Sequence, residues 1–256
     1  MRKFILKVFR GTPEKQYWEE FELELKPFYN IISALMDIQK TPHNRKGERV
    51  APVAWEQGCL EEVCGSCSML INGKPRQACT ALIEKLIEAT GSSTVTLAPM
   101  TKFVLIRDLV VSRDTMFNNL KKMHAWIDVD GFFERGVGPK MSPQLQDTRY
   151  KLSTCMTCGC CSEACPQVNE HSSFMGPAPI SQVRLFNSHP TGKMQASERL
   201  HALMEKEGVG CGNSQNCVEV CPKEIPLTES LAEMGREVSK QAFRDLSGSL
   251  NPEEKL

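Results

Sequence analysis

No stretch of this 256-residue chain approaches the ~18 to 20 consecutive apolar residues needed to cross a bilayer. Even VLIRDLVV is interrupted by Arg107 and Asp108, so any membrane association has to come through a partner. Net charge is missing too: 31 basic residues balance 31 acidic ones, leaving no long-range field to draw in nucleic acid or an anionic lipid surface. The basic opening MRKFILKVFR breaks its apolar run at Lys7, too early for the apolar core of a secretory signal, and reads as mature protein. Groups poised for substrate chemistry are also scarce. No G-x-G-x-x-G follows a strand pattern. The histidines His43, His124, His171, His189 and His201 are scattered along the chain and read as surface or structural residues.

What the chain has in abundance is cysteine, twelve in all, gathered in clumps. A disulfide framework suits a small exported chain, whereas this one is large and carries no export signal. Metal binding in a reducing compartment is the better reading.

The first part of the chain reads as strands. RKFILKVF and WEEFELEL are strand patterns, and NIISALMDI spaces Ile31, Ile32, Leu35 and Met36 as a helix behind an Asn30 cap. In SMLINGKPRQACTAL, Asn72 and Gly73 separate two apolar segments and predict a hairpin with a type I′ turn. TVTLAP closes the sheet. From about residue 106 the pattern turns helical, with Met116, Leu120, Met123 and Trp126 on one face. Residues 127–150 show no period and read as an irregular connection with a helix emerging at its end. Helices are expected over 145–154, 180–188, 195–206 and 227–244. The last buries Leu227, Leu231, Met234 and Val238, and NPEEKL beyond it is expected to fray. The domains so defined are 1–105 and 106–256.

Three cysteine sets carry the chemistry. Cys59, Cys64 and Cys67 form C-x4-C-x2-C with Cys79 beyond the hairpin, the plant-type spacing for a [2Fe-2S] cluster held by four thiolates. Gly58 and Gly65 are placed where a curling backbone passes close to sulfur. A structural zinc site is the alternative, though zinc ribbons pair two short knuckles. Cys155, Cys158, Cys161, Cys165 and Pro166 give C-x2-C-x2-C-x3-C-P, the bacterial ferredoxin run whose fourth cysteine serves the other cluster in two-cluster proteins. The matching run, Cys211, Ser214, Cys217, Cys221 and Pro222, has serine where a cysteine is expected. Exchanged ligation leaves Cys155, Cys158, Cys161 and Cys221 for a [4Fe-4S] cube. It leaves three thiolates, Cys165, Cys211 and Cys217, for a [3Fe-4S] cluster. Ser214 either donates a hydrogen bond or, less favourably for a hard hydroxyl, holds a fourth iron. Cys160 is surplus to both templates and reads as a small buried thiol. Backbone near Gly65 and Gly159 is expected to donate to cluster sulfurs.

CLEEVCGSCSMLINGKPRQAC, CMTCGCCSEACP, FMGPAPISQVRLFNSHPTG and CGNSQNCVEVCPKEIPL together resemble the iron-sulfur subunit of succinate dehydrogenase and fumarate reductase, over nearly the whole length. The resemblance implies an α+β protein, a plant-type ferredoxin β-grasp domain followed by an all-α bacterial-ferredoxin-like domain. It implies a relay of single electrons, without a substrate site of its own, between an FAD flavoprotein and a membrane-anchor cytochrome b that carries haem b. It also places the chain peripherally on the cytoplasmic face of the bacterial inner membrane. Ubiquinone-reducing relatives carry tryptophans after the ferredoxin proline and a histidine after the first cysteine of the last run. Here those places hold Gln167, Val168 and Asn169, and Gly212. The chain therefore looks closer to the dihaem type, with menaquinone bound mainly by the anchor. FMGPAPISQVRLF reads equally as a docking surface or as cover for the clusters. A free-standing ferredoxin-like carrier, the fumarate-reducing direction and the equivalent subunit of another flavin-linked oxidoreductase stay open on sequence alone.

Overall fold

The computed structural model describes residues 2–128, 140–205 and 210–250, with side chains to 247. The central part of the expected irregular connection and the terminal NPEEKL lie outside them. The described residues divide into two compact units. The first is Met1–Arg113 with Met156–Ala164; the second is Asp114–Cys155 with Cys165–Leu256. The boundary expected at 105 lies instead at Arg113, where the chain changes unit, and Met156–Ala164 returns briefly to the first unit.

The first unit is built on a five-stranded sheet, in the order β2-β1-β5-β3-β4. β1 (Lys3–Thr12) and β2 (Lys15–Glu24) form an antiparallel hairpin. Phe4, Leu6 and Val8 alternate inward along β1, as a half-buried strand requires. β3 (Ser68–Ile71) and β4 (Lys74–Gln77) meet across Asn72 and Gly73, whose φ of 50° and 76° suit the expected type I′ turn. β5 (Thr94–Ala98) lies between β1 and β3, parallel to the first and antiparallel to the second. The parallel β1–β5 pair brings strands distant in sequence together around one core.

Two helices cover this core. α1 (Ile31–Lys40) begins where expected, because the Asn30 side chain accepts from the Ser33 amide at 2.8 Å. It buries Ile31, Ile32, Ala34, Leu35 and Ile38, and leaves Met36 exposed. The inward stripe thus continues to Ile38 and bypasses Met36. α2 (Ile83–Thr90), which the sequence reading did not single out, buries Ile83, Leu86 and Ile87 and stops at Gly91, φ 67°.

A two-stranded hairpin, β6 (Val104–Arg107) with β7 (Val110–Ser112), also lies past the point where helix was expected. Its turn residue Asp108 is buried, accepting from the Gly11 amide at 2.7 Å and the Ala54 amide at 2.8 Å. Asp108 also pairs with buried Arg10 at 3.1 Å, and Arg10 in turn pairs with Glu19. Burying these charges is tolerable because each carries a partner.

The second unit is helical among the described residues. α3 (Asp114–Lys122), α4 (Pro143–Ser153), α6 (Pro177–Ser188), α7 (Ala196–Glu205), α8 (Asn216–Glu219) and α9 (Leu227–Leu250) belong to it, with a 3₁₀ turn at Gly192–Gln195. Met123, Ile180, Val183, Leu200, Leu203, Leu231 and Met234 form its core, with Val238 packed against them. Trp126 lies beyond the end of α3 and is exposed, so the predicted helical face ends at Met123. α5 (Cys160–Ala164) is the short helix that packs in the first unit. Its Glu163 carboxylate fastens it there by accepting from the Thr101 amide at 2.9 Å and the Lys102 amide at 3.0 Å.

Candidate metal centres

In the first unit, the loop after Gly58 wraps around a sulfur. Cys59 Sγ accepts from the amides of Glu61, Val63 and Cys64 at 3.4, 3.1 and 3.3 Å. Cys64 Sγ accepts from the Cys59 amide at 3.3 Å. The curl that achieves this places Leu60, Glu62 and Gly65 at φ 63°, 59° and 74°. Gly58 is needed for space, since a Cβ there would lie 2.9 Å from Cys64 Sγ. Gly65 is needed for space and conformation together: its Cβ would fall 2.9 Å from Cys158 Cα. The donors around Cys59 are thus ordinary residues, with the glycines providing close approach.

Backbone N–H groups aimed at sulfur favour a thiolate over a thiol. Cys64 is drawn down to about 6, chiefly by the Ser66 hydroxyl, with the Cys59 and Ser66 amides adding to it. Cys79 is pushed up to about 12 by burial, then by its hydrogen bond with Cys67. A buried thiol of this kind needs a cation to release its proton, which iron provides on binding. Asn30 joins this site to the fold, since its Nδ2 donates to the Cys79 carbonyl at 2.9 Å while its oxygen caps α1. The arrangement fits a thiolate-held cluster at Cys59, Cys64, Cys67 and Cys79.

The CMTCGCCSEACP run divides between the units. Cys158, Cys160 and Cys161 belong to the first, whereas Cys155 and Cys165 belong to the second, as does Cys221. Thr157 and Gly159 sit at φ 50° and 87°, turning the backbone on either side of Cys158. Cys158 is drawn down to about 7, chiefly by the Cys160 thiol and against burial, with the Cys160 amide and the Arg113 charge assisting. Cys160 is fully buried and moves the opposite way, upward, because it gives its hydrogen bond to Cys158 and is desolvated. The surplus cysteine accepts the Gln77 Nε2–H at 3.5 Å, a contact its spacing did not disclose.

In the second unit, Cys165, Cys211 and Cys217 are gathered. Cys165 lies in the helical core and Cys211 packs against it. Cys217 is pushed up to about 11 by burial and then by the charges of Cys165 and Cys211. Asn213 and Gln215, at φ 53° and 61°, curl the loop, and the Asn213 amide donates to Cys211 Sγ at 3.3 Å. Ser214 is exposed on that loop. Gly212 faces Gln167, so close that a Cβ would lie 2.6 Å from Gln167 Nε2.

None of the twelve cysteines is in a disulfide. Among the described residues no three His, Cys, Asp or Glu side chains are arranged for a single ion. A four-thiolate cluster asks for something else, two sulfurs per iron in a diiron cluster and one per iron in a cube. Of the histidines, His124 and His201 pair with Glu198 and Asp245, each at 2.9 Å, while His43 and His171 are exposed. In FMGPAPISQVRLF the residues Phe174, Met175, Ile180 and Val183 turn into the helical core, which favours cover over docking for those positions.

Residues 5–118 match the 2Fe-2S iron-sulfur cluster binding domain family, and residues 151–225 match the 4Fe-4S dicluster domain family. The succinate dehydrogenase iron-sulfur subunit of Bacillus subtilis is 57% identical over 248 residues, covering 96% of each chain. The chain belongs to the succinate dehydrogenase iron-sulfur subunit family. A fumarate reductase iron-sulfur subunit from Wolinella succinogenes is 28% identical, covering 93% of this chain and 98% of its own. A chain of the Mycobacterium smegmatis Sdh1 complex shares the fold, with a TM-score of 0.74 and 22% identity over 94% of this chain and 97% of that one. Family membership places the sheet-containing unit and the helical unit in their expected order, cluster domain followed by dicluster domain.

Proposed function

We propose that this protein is the electron-transfer subunit of a succinate:quinone oxidoreductase, passing single electrons between an FAD flavoprotein and a membrane-anchor cytochrome b. The observation that carries the reading is the Cys59–Cys64 loop, where three backbone N–H groups surround one sulfur in a chain that belongs to this family. Bound iron-sulfur clusters supply reversible one-electron storage. The chain's own residues hold the irons, aim N–H dipoles at the sulfurs and exclude water, which sets the potential of each site.

The ligand sets are Cys59, Cys64, Cys67 and Cys79 for [2Fe-2S]; Cys155, Cys158, Cys161 and Cys221 for [4Fe-4S]; and Cys165, Cys211 and Cys217 for [3Fe-4S]. The grouping of Cys165 and Cys211 with Cys217 in one unit supports the third set. The sheet unit is a β-grasp of the plant-ferredoxin type and the helical unit is all-α in the bacterial-ferredoxin manner. No described helix is long and apolar enough to cross a membrane. Attachment is through the anchor, on the cytoplasmic face. Gln167 and Gly212, which meet in the fold, stand where ubiquinone-reducing relatives carry tryptophan and histidine side chains. That favours transfer from the [3Fe-4S] site to haem b of the anchor, with menaquinone bound mainly by the anchor.

The experiment is purification of the tagged chain from membranes. A flavoprotein, a haem b protein, iron and acid-labile sulfide are expected together, with succinate-dependent reduction of a menaquinone analogue. Zinc without sulfide, or a solitary chain lacking both partners, would overturn the reading.

A further inference from the structure

Ser66 stands between Cys64 and Cys67, and its backbone carbonyl accepts from Arg113 Nη2 at 2.9 Å. The preceding carbonyl, of Gly65, takes a neutral donor instead, the Ser68 hydroxyl at 2.7 Å. A hydroxyl is thus enough to satisfy a carbonyl in this loop, and a cation at Ser66 exceeds what hydrogen bonding alone requires. All of these residues belong to the first unit.

Arg113 follows directly on β7 and is held from behind. The Asp108 amide donates to the Gly11 carbonyl at 2.7 Å and the Leu109 amide to the Ala54 carbonyl at 3.2 Å, adding to the carboxylate bonds of Asp108. The hairpin that carries Arg113 is therefore fixed to the sheet. The arginine itself is half-buried, and its Nε is buried without a hydrogen-bond partner among the described residues. Folded proteins seldom leave a buried donor unpaired, least of all a charged one. The anion this loop is shaped to hold, a thiolate-bound cluster, is the counter-charge that fits such a cation. The Ser66 carbonyl is also one residue from Gly65, where a Cβ would lie 2.9 Å from Cys158 Cα and Cβ. The arginine so meets the loop beside the contact between two ligand segments.

We propose that Arg113 is a positioning residue for the [2Fe-2S] site: it fixes the Cys64–Cys67 loop through the Ser66 carbonyl, and its charge favours the reduced cluster. This rests on the ligand assignment and the function proposed above. A reduced cluster carries one more negative charge than an oxidised one, so a nearby cation raises the potential, and partial burial shields that effect from salt.

The test is a redox titration followed by electron paramagnetic resonance on the purified complex, comparing Arg113→Lys, Arg113→Gln and Arg113→Met with the unaltered protein. Arg113→Gln keeps a donor for the Ser66 carbonyl but no charge. Its [2Fe-2S] resonance is expected to keep its shape while the midpoint falls by about 59 mV, tenfold in the one-electron equilibrium. Arg113→Met, lacking donor and charge, is expected to show the same fall with an altered line shape and faster loss of the signal to an iron chelator. Arg113→Lys, which keeps the charge, is expected to hold the midpoint near its original value. An unmoved [2Fe-2S] midpoint in Arg113→Gln overturns the proposal, as does an equal fall in Arg113→Lys, which would leave the residue a purely structural part. Should Arg113→Met fail to assemble, the Lys and Gln midpoints decide alone. Failure of the functional reading is distinguishable, because the unaltered complex would then show no [2Fe-2S] resonance at all.

Discussion

Leu60 and Glu62 hold a left-handed backbone at φ 63° and 59°, a conformation that costs an L residue roughly 1–2 kcal/mol. They sit there because the loop has to turn its N–H groups toward Cys59, and the bonds to sulfur offset the cost. Gly65 is the position where the same loop leaves no alternative. Gly65→Ala would strain φ 74° and drive a methyl to 2.9 Å from Cys158 Cα, Cys158 Cβ and the Met156 carbonyl. Backbone strain and overpacking together cost on the order of 2–5 kcal/mol. The expected outcome is a large fall in the urea midpoint with loss of the [2Fe-2S] resonance, and unchanged stability would contradict the close approach seen here. At this scale the cysteines and Gly58 and Gly65 were legible in the sequence, because ligand spacing and tight turns leave local marks. Gln77 was not, since nothing near it in sequence announces that its amide reaches a thiol 83 residues away.

Elements show the same division. β1, β2, α1 and the Asn72-Gly73 hairpin could be read from alternation, an N-cap and a turn dipeptide, all local signals. The β6–β7 hairpin could not, because what holds it is Asp108 buried against Gly11, Ala54 and Arg10, partners far away in the chain. α6 ends at His189, whose Nδ1 accepts from the amides of Thr191 at 3.1 Å and Gly192 at 3.4 Å. Burial, and then the Arg149 charge, hold its pKa below the ordinary 6.5. The unfolded chain therefore binds this proton first as pH falls. Stability contributed by neutral His189 is fully present above pH 6.5, declines as pH drops toward the lower folded value, and levels off beneath it. Urea midpoints measured from pH 8 to pH 5 should fall in this window, and His189→Asn, an acceptor that does not titrate, should flatten that part of the slope. An equal slope in the variant would assign the effect to other groups.

For the whole molecule, the order of the chain and the packing of its units differ. Met156–Ala164 pack in the first unit although the residues on either side belong to the second. Cys161 and Cys165, four residues apart, are accordingly in different units. The prediction at this scale concerns independence of the sites. Cys165→Ser in the complex should abolish the resonance of the oxidised [3Fe-4S] cluster, leave those of the reduced [2Fe-2S] and [4Fe-4S] clusters, and slow electron delivery to the anchor haem at least tenfold. Loss of only the [4Fe-4S] resonance would show the ligation to be uncrossed.

By itself the sequence named the candidate ligands and a sheet-containing unit followed by a helical one, because thiolate spacing, strand alternation and helical stripes are encoded within short windows. Tertiary structure alone decided where the first unit ends, that Gln167 packs against Gly212, and what the surplus Cys160 touches. Those outcomes depend on which distant side chains compete for the same buried space and the same hydrogen bond, and no short window contains both competitors.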